Sequence, residues 1–151
     1  MRRVITGLDA QGRSCVLADE EAPDHHGMGD EVWQCNPRER PHWVAQITAA
    51  DVPPIEPPPG GSWCRVLRFP PWDQYVQQLA TRNMPGFDAR GFHVTRTIDY
   101  IHVLSGDIWL DLDAGSVLLH PGDCVVQQAT RHAWRTETGA ELLVVMIDWR
   151  Q

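Results

Sequence analysis

His93, Asp99 and His132 are the residues of this chain whose types and spacing could do chemistry. His93 and Thr95 stand two apart, so on an extended strand they share one face. Asp99 follows after three intervening residues, which suits an inward carboxylate on the next strand, and Gly106 closes the segment after six more. His132 comes from a separate segment, behind the turn Pro121-Gly122-Asp123, and approaches from across the sheet. Two imidazoles and one carboxylate on a stiff scaffold, with positions left for water or substrate, form the ligand set of an open catalytic metal site. Thr95 offers only a neutral hydroxyl, a poor ligand for such an ion. A carboxylate pointing into an apolar barrel carries a large desolvation cost, so Asp99 requires a cation or strong donors; the alternative to a metal is hydrogen bonding from Thr95, Thr97 or Arg96.

The elements that must position these side chains are strands. Ser62 to Phe69 alternates and is stopped by Pro70 and Pro71. Ile108, Leu110 and Leu112 alternate with Asp107, Trp109, Asp111 and Asp113, the period of a strand with one buried face. Ser116 to Leu119, Cys124 to Gln128, Ala133 to Thr136 and Glu141 to Ile147 follow, each bounded by Gly, Pro or charged turn residues. Arg2 to Thr6 and Ser14 to Ala18 read as an N-terminal hairpin or pair of arm strands, and Glu31 to Cys35 as a third short strand. Asp73 caps one helix running to about Arg82, with Trp72, Val76 and Leu79 at helical spacing. Many short strands with a single helix imply an all-β sandwich or barrel of the jelly-roll type.

The stretch from Asn36 to Gly61 is proline-rich and reads as an extended surface path. The 151 residues, 42 % hydrophobic, suffice for one domain: residues 1–61 an arm and Pro-rich connection, residues 62–149 the barrel. A formal charge of -7 argues against nucleic acid or an anionic membrane as partner and leaves a small molecule or another protein. The first residues lack a signal-peptide pattern and no apolar run reaches bilayer length, so a soluble, cytoplasmic protein with reduced thiols is expected. Cys124, in the apolar string CVV, is expected to be buried.

These motifs resemble the cupin superfamily, and more narrowly small single-domain cupins of bacteria and fungi that begin with an R-R-V-x-T-G arm. His93, Thr95, Asp99 and Gly106 match the first cupin motif, with Thr95 at its second histidine and Asp99 at its glutamate. Gly122, Gln127, Ala129, His132 and Thr136 match the second, with Gln127 for Pro, Ala129 for Gly and Thr136 for Asn. The resemblance implies a cupin-type jelly-roll barrel holding one divalent transition metal (Fe, Zn, Mn or Ni) on His93, Asp99 and His132. Thr95, Trp134, Gln127 and Ile101 would line the substrate pocket. It also implies an arm that crosses to a neighbouring subunit, hence a homodimer.

The expected function is a lyase or isomerase, a decarboxylase or dehydratase, acting on a small oxygenated organic or aromatic substrate. The alternatives are an Fe(II) dioxygenase, a metal-free acid-base enzyme with His132 as base, and a non-enzymatic binding module. Other polar residues are assigned no chemistry. His102 points outward if Asp99 points in. His25 and His26 lie in a polar loop and read as solvated, His42 and His120 as surface or strand-end residues, and Asp107, Asp111 and Asp113 as a solvated strand face. Tyr100 reads as a core residue or a flank of the cavity. Seven tryptophans are many for this length, so some must line a cavity or a contact surface.

Overall fold

The computed structural model describes residues 2–8, 11–25, 27–35, 55–82 and 84–149. Ten strands and one helix follow in chain order: β1 (Arg2–Leu8), β2 (Ser14–Glu21), β3 (Gly29–Cys35), β4 (Ser62–Phe69), α1 (Trp72–Arg82), β5 (Thr97–Ser105), β6 (Ile108–Leu112), β7 (Gly115–Leu119), β8 (Cys124–Gln128), β9 (His132–Arg135) and β10 (Ala140–Asp148). β1 and β2 pair as an antiparallel hairpin. The other strands form a five-stranded sheet, β3-β4-β10-β5-β8, and a three-stranded sheet, β7-β6-β9. This is the expected all-β jelly-roll barrel with its single short helix.

The two sheets face each other across one core. Ile101 and Val103 of β5 and Leu142, Val144 and Met146 of β10 meet Ile108 and Leu110 of β6, Leu119 of β7 and Trp134 of β9. Period-two alternation produces this directly: Ala140, Leu142, Val144 and Met146 are buried along β10, and Thr97, Asp99, Ile101 and Val103 along β5. The polar Thr97 and Asp99 occupy inward positions of the same strand, which is how an apolar wall acquires reactive groups. Helix α1 starts directly after Pro70 and Pro71, with Asp73 in its first turn, where a carboxylate favours the positive end of the helix. It buries Leu79 and sets Tyr75 edge-on to Phe69 at the mouth of the barrel.

The ends of the paired strands β5 and β10 meet tightly at Gly106, in the turn from β5 to β6. Its φ of 73° is left-handed, and a Cβ there would collide with the Gly139 carbonyl and the Ala140 backbone. Gly106→Ala is therefore expected to destabilise the protein by about 3 kcal/mol or more, through both strain and overpacking. A fall in the urea midpoint checks it; an unchanged midpoint would contradict the close approach. Ala129 has the left-handed φ of 51° without being glycine. It keeps the backbone shape of the glycine expected at that motif position, and its N–H still bonds the Thr97 carbonyl at 3.0 Å.

Several surface expectations change. Cys124 is exposed, with its Sγ 3.2 Å from His102 Nδ1, because the inward residue of β8 is the polar Gln127 and alternation turns Cys124 out. Tyr100 is half exposed on the outer face of β5 and is not among the residues that line the barrel cavity. The three aspartates are each paired: Asp107 with His120, Asp111 with Arg135 and Asp113 with Arg131. His26, His42 and most of the Pro-rich stretch lie outside the described residues. Among the described residues no helix is long and apolar enough to cross a membrane.

Candidate functional site

His93 and His132 are brought together by the backbone. They form an antiparallel bridge, each N–H donating to the other's carbonyl at 3.0 and 3.1 Å. Directly opposed residues of this kind carry their side chains on one face, and the two imidazole centroids lie 4.3 Å apart. Phe87 stacks on His93 with centroids 3.9 Å apart, and Trp134 meets His132 edge-on.

Hydrogen bonds fix the proton positions. His93 Nδ1 lies 3.0 Å from the Gly91 carbonyl, and His132 Nδ1 lies 2.9 Å from that of Thr130. A carbonyl can only accept, so each Nδ1 carries the proton and each Nε2 the lone pair. His132 Nε2 then accepts from the Gln127 amide nitrogen at 3.0 Å, and the same nitrogen donates to Asp99 Oδ2 at 3.2 Å. Gln127 thus bridges His132 and Asp99 with its two N–H groups.

Burial tunes all three groups. It pushes the Asp99 carboxyl up to about 6, against hydrogen bonds from Thr97 and Gln127 that favour the anion. It pulls His132 down to about 4, helped by His93 and opposed by the Thr130 carbonyl. His93 is lowered for the same reason, burial. At neutral pH both rings are uncharged, and Asp99 sits near its own titration. Asp99 Oδ1 is buried and without a hydrogen-bond partner among the described residues.

The expected three-residue metal set is not assembled. Among the described residues no three His, Cys, Asp or Glu side chains gather as a metal-binding group. The physical reason is the Gln127 amide, which stands between His132 and Asp99 and satisfies both. Thr95 and Thr97 share a hydrogen bond between their hydroxyls at 2.8 Å, and Thr95 adds no atom suited to ligating a transition metal.

These residues open on a cavity of about 110 Å³ inside the barrel. An engineered apolar cavity of about 150 Å³ admits benzene, and this space is somewhat smaller, so its occupant is a small organic molecule of no more than about one ring. His93, Thr95, Asp99, Ile101, His132 and Trp134 line it. Gln127 does not; it stands behind His132 and Asp99 and holds them. Tyr75 and Gln78 of α1 border the cavity, so the helix covers the barrel mouth.

A second polar group on the wall has no counterpart in the sequence reading. Glu31 of β3 pairs in register with Arg65 of β4, and both are buried, at 1 % and 4 % exposure. Arg65 Nε donates to Glu31 Oε2 at 2.6 Å, and its guanidinium lies over the Trp63 ring. Burial lowers Arg65 to about 10, against the pull of Glu31, so it stays charged at neutral pH. His25, expected in solvent, is buried instead, with Nδ1 3.5 Å from Glu31 and its ring edge-on to Trp63. The residues after it turn back, with Met28 N–H on the His25 carbonyl, and carry its ring inward.

No protein-family model matches the sequence. The chain is 36 % identical over 96 residues to "Phomopsin biosynthesis cluster protein C'" of Diaporthe leptostromiformis, covering 63 % of this chain and 43 % of that protein. It is thus similar to less than half of that relative's length. It is 30 % identical over 156 residues to "Cupin-domain-containing oxidoreductase srdD" of Neurospora crassa, covering 97 % of this chain and 72 % of that protein. A similar match, 28 % identical with 97 % and 71 % covered, is to "Cupin-domain-containing oxidoreductase fogC" of Aspergillus ruber. Among solved structures, a Cupin 2 conserved barrel domain protein from Salinispora arenicola aligns with a TM-score of 0.42 at 18 % identity, over 58 % of this chain and 63 % of that one.

Proposed function

This chain belongs to the cupin superfamily, and on that premise we propose that its barrel cavity is the active site of a lyase- or isomerase-type enzyme moving protons on a small oxygenated organic or aromatic substrate. The observation that carries this is Asp99. It is a cavity-lining carboxyl poised at about 6, with one oxygen held by Gln127 and the other lacking a partner. A general base works best when its pKa lies near the operating pH, and burial has moved this one there. Asp99 Oδ1 takes a proton from carbon beside a substrate carbonyl. The C–H electron pair becomes the C=C bond of an enolate as the carbonyl π pair moves onto oxygen, and Asp99 then returns the proton at another atom, which restores a neutral product. Neutral His93 faces the same space with its Nε2 lone pair and accepts a hydrogen bond from a substrate hydroxyl. His132 and Gln127 hold the Asp99 carboxylate in place. Packing by Trp134 and Phe87 keeps bulk water from the reacting atoms.

Solvent-deuterium exchange into the acidic C–H positions of small cyclic ketones, followed by NMR, tests the reading without the natural substrate. Wild-type protein should accelerate exchange, and Asp99→Asn should lower the rate by about 10²–10⁴-fold. Equal rates in the two proteins would end the proposal. A cavity that binds ketones and never exchanges them supports the binding-module reading instead.

The imidazoles favour a second reading. Rings pinned through Nδ1 to carbonyls, with Nε2 facing inward, are oriented as metal-ligating histidines are. His93 would hold a divalent ion through Nε2, and His132 and Asp99 would join only if the Gln127 amide, which bonds both, gave way. The ion would supply Lewis-acid stabilisation of developing negative charge or, as Fe(II), dioxygen chemistry. The oxidoreductase names of two relatives support this second reading. Elemental analysis of untagged protein separates the two. Stoichiometric metal that disappears in His132→Ala favours the metal, and exchange that persists in metal-free protein favours Asp99 alone.

A further inference from the structure

The sheet that carries Asp99 also carries, two strands away, a donor that the chemistry above does not use. Arg65 is 96 % buried by its 4 % exposure and lines the cavity, yet its Nη2 has no hydrogen-bond acceptor among the described residues. Its Nε is committed to Glu31 and its face to Trp63, so the group is fixed in place. A buried guanidinium N–H without an acceptor is costly, and a cavity-lining one calls for an acceptor brought by a ligand.

Register places this donor relative to Asp99. Arg65 lies opposite Val144 of β10, which lies opposite Ile101 of β5, two residues along from Asp99 on the same inward face. The two backbones are thus two strand spacings apart, about 10 Å. Val144, Met146 and Ile101 lie between them, and all five residues line the same cavity.

Charge selects the ligand. Each basic side chain on the wall already faces a carboxylate: Arg65 and His25 face Glu31, and Arg68 faces Asp30 and Glu141. Asp99 adds a further acid. A ligand carboxylate would enter a site whose positive charge is already matched, and burying that unmatched charge is unfavourable. A carbonyl or hydroxyl oxygen satisfies the donor without adding charge.

We infer that Arg65 is a substrate-anchoring residue, its Nη2 donating to an uncharged carbonyl or hydroxyl oxygen of a ring-sized, largely apolar substrate held between Arg65 and Asp99. This rests on the cavity being the substrate site, and it names the class of molecule that site takes.

Acetophenone, ethylbenzene and benzoate, close in size and differing in the acceptor, test it by NMR titration at pH 7. The wild-type protein should bind acetophenone about tenfold or more tighter than ethylbenzene, the worth of one hydrogen bond to a charged donor. Benzoate should bind at least as weakly as ethylbenzene. In Glu31→Leu/Arg65→Met, which replaces the ion pair by apolar groups, the ketone preference should fall to near one. Equal wild-type affinities for acetophenone and ethylbenzene overturn the inference. So does benzoate binding tightest, which makes the site an anion site, or a preference that survives in the double variant. The wild-type comparison decides even if the double variant fails to fold. A preference intact without deuterium exchange overturns only the reaction, and exchange intact without the preference overturns only the anchor.

Discussion

Asp99→Asn makes the protein more stable at pH 7 and newly sensitive to acid. In the wild type the Asp99 carboxyl is raised from 3.8 to about 6, so the folded protein binds that proton more tightly than the unfolded chain does. Its contribution to stability therefore grows as pH falls from about 6 to about 4. His132 is lowered from 6.5 to about 4, so the folded protein binds that proton more weakly, and its contribution is lost as pH falls through the same window. Each displacement is worth roughly 3 kcal/mol at these buried positions, and the two oppose each other. Wild-type stability is thus nearly flat in this window as far as this pair is concerned.

Asparagine removes the first contribution and leaves the second. The variant gains up to about 3 kcal/mol at pH 7, where a buried anion is relieved, and loses a similar amount between pH 6.5 and 4. Urea midpoints at pH 7, 6, 5 and 4 for both proteins check this. Parallel profiles would show that the carboxyl and the imidazole are not tuned as the structure indicates.

Glu31→Leu is expected to cost about 3–5 kcal/mol, since it strands the Arg65 guanidinium in the barrel wall with its charge unmatched. Adding Arg65→Met should recover most of that loss, because replacing a buried ion pair by apolar side chains of similar volume is often neutral or stabilising. The pair is thus strongly coupled without being a large net source of stability. A denaturation double-mutant cycle over Glu31 and Arg65 measures the coupling. A single-variant loss below about 1 kcal/mol would mean that the register of β3 on β4 is held by the backbone ladder alone.

Much of the architecture is legible in the residue pattern. β4 and β8 begin and end where the alternation and the prolines place them, because each runs between hard stops. β2 and β10 extend further than the apolar pattern indicates, since backbone pairing continues into residues such as Glu20, Glu21 and Asp148 whose side chains carry no such signal. His93, Asp99 and His132 are likewise legible, because the motif spacing places all three on inward positions.

The rest depends on pairings across long separations. Glu31 and Arg65 lie in separate segments, and nothing local marks either as buried until the β3–β4 register sets them side by side. His25 sits among polar residues that read as a solvated loop, and only its packing on Trp63 and Glu31 brings it inside. Cys124 reads as core from the apolar string CVV, but alternation turns only Val125 and Gln127 of β8 inward and leaves Cys124 and Val126 outside. The Gln127 bridge is illegible for the same kind of reason: an amide in a strand declares neither of its partners.

That bridge sets how protons travel in this barrel. An amide nitrogen can hold two acceptors at once but has no exchangeable lone pair through which to pass a hydrogen ion onward. His132 and Asp99 are neighbours joined by an insulator, not two ends of a proton wire. A hydrogen ion that loads or leaves the acid bypasses His132, and the open space that the bound molecule occupies, which the acid lines, offers it a direct route.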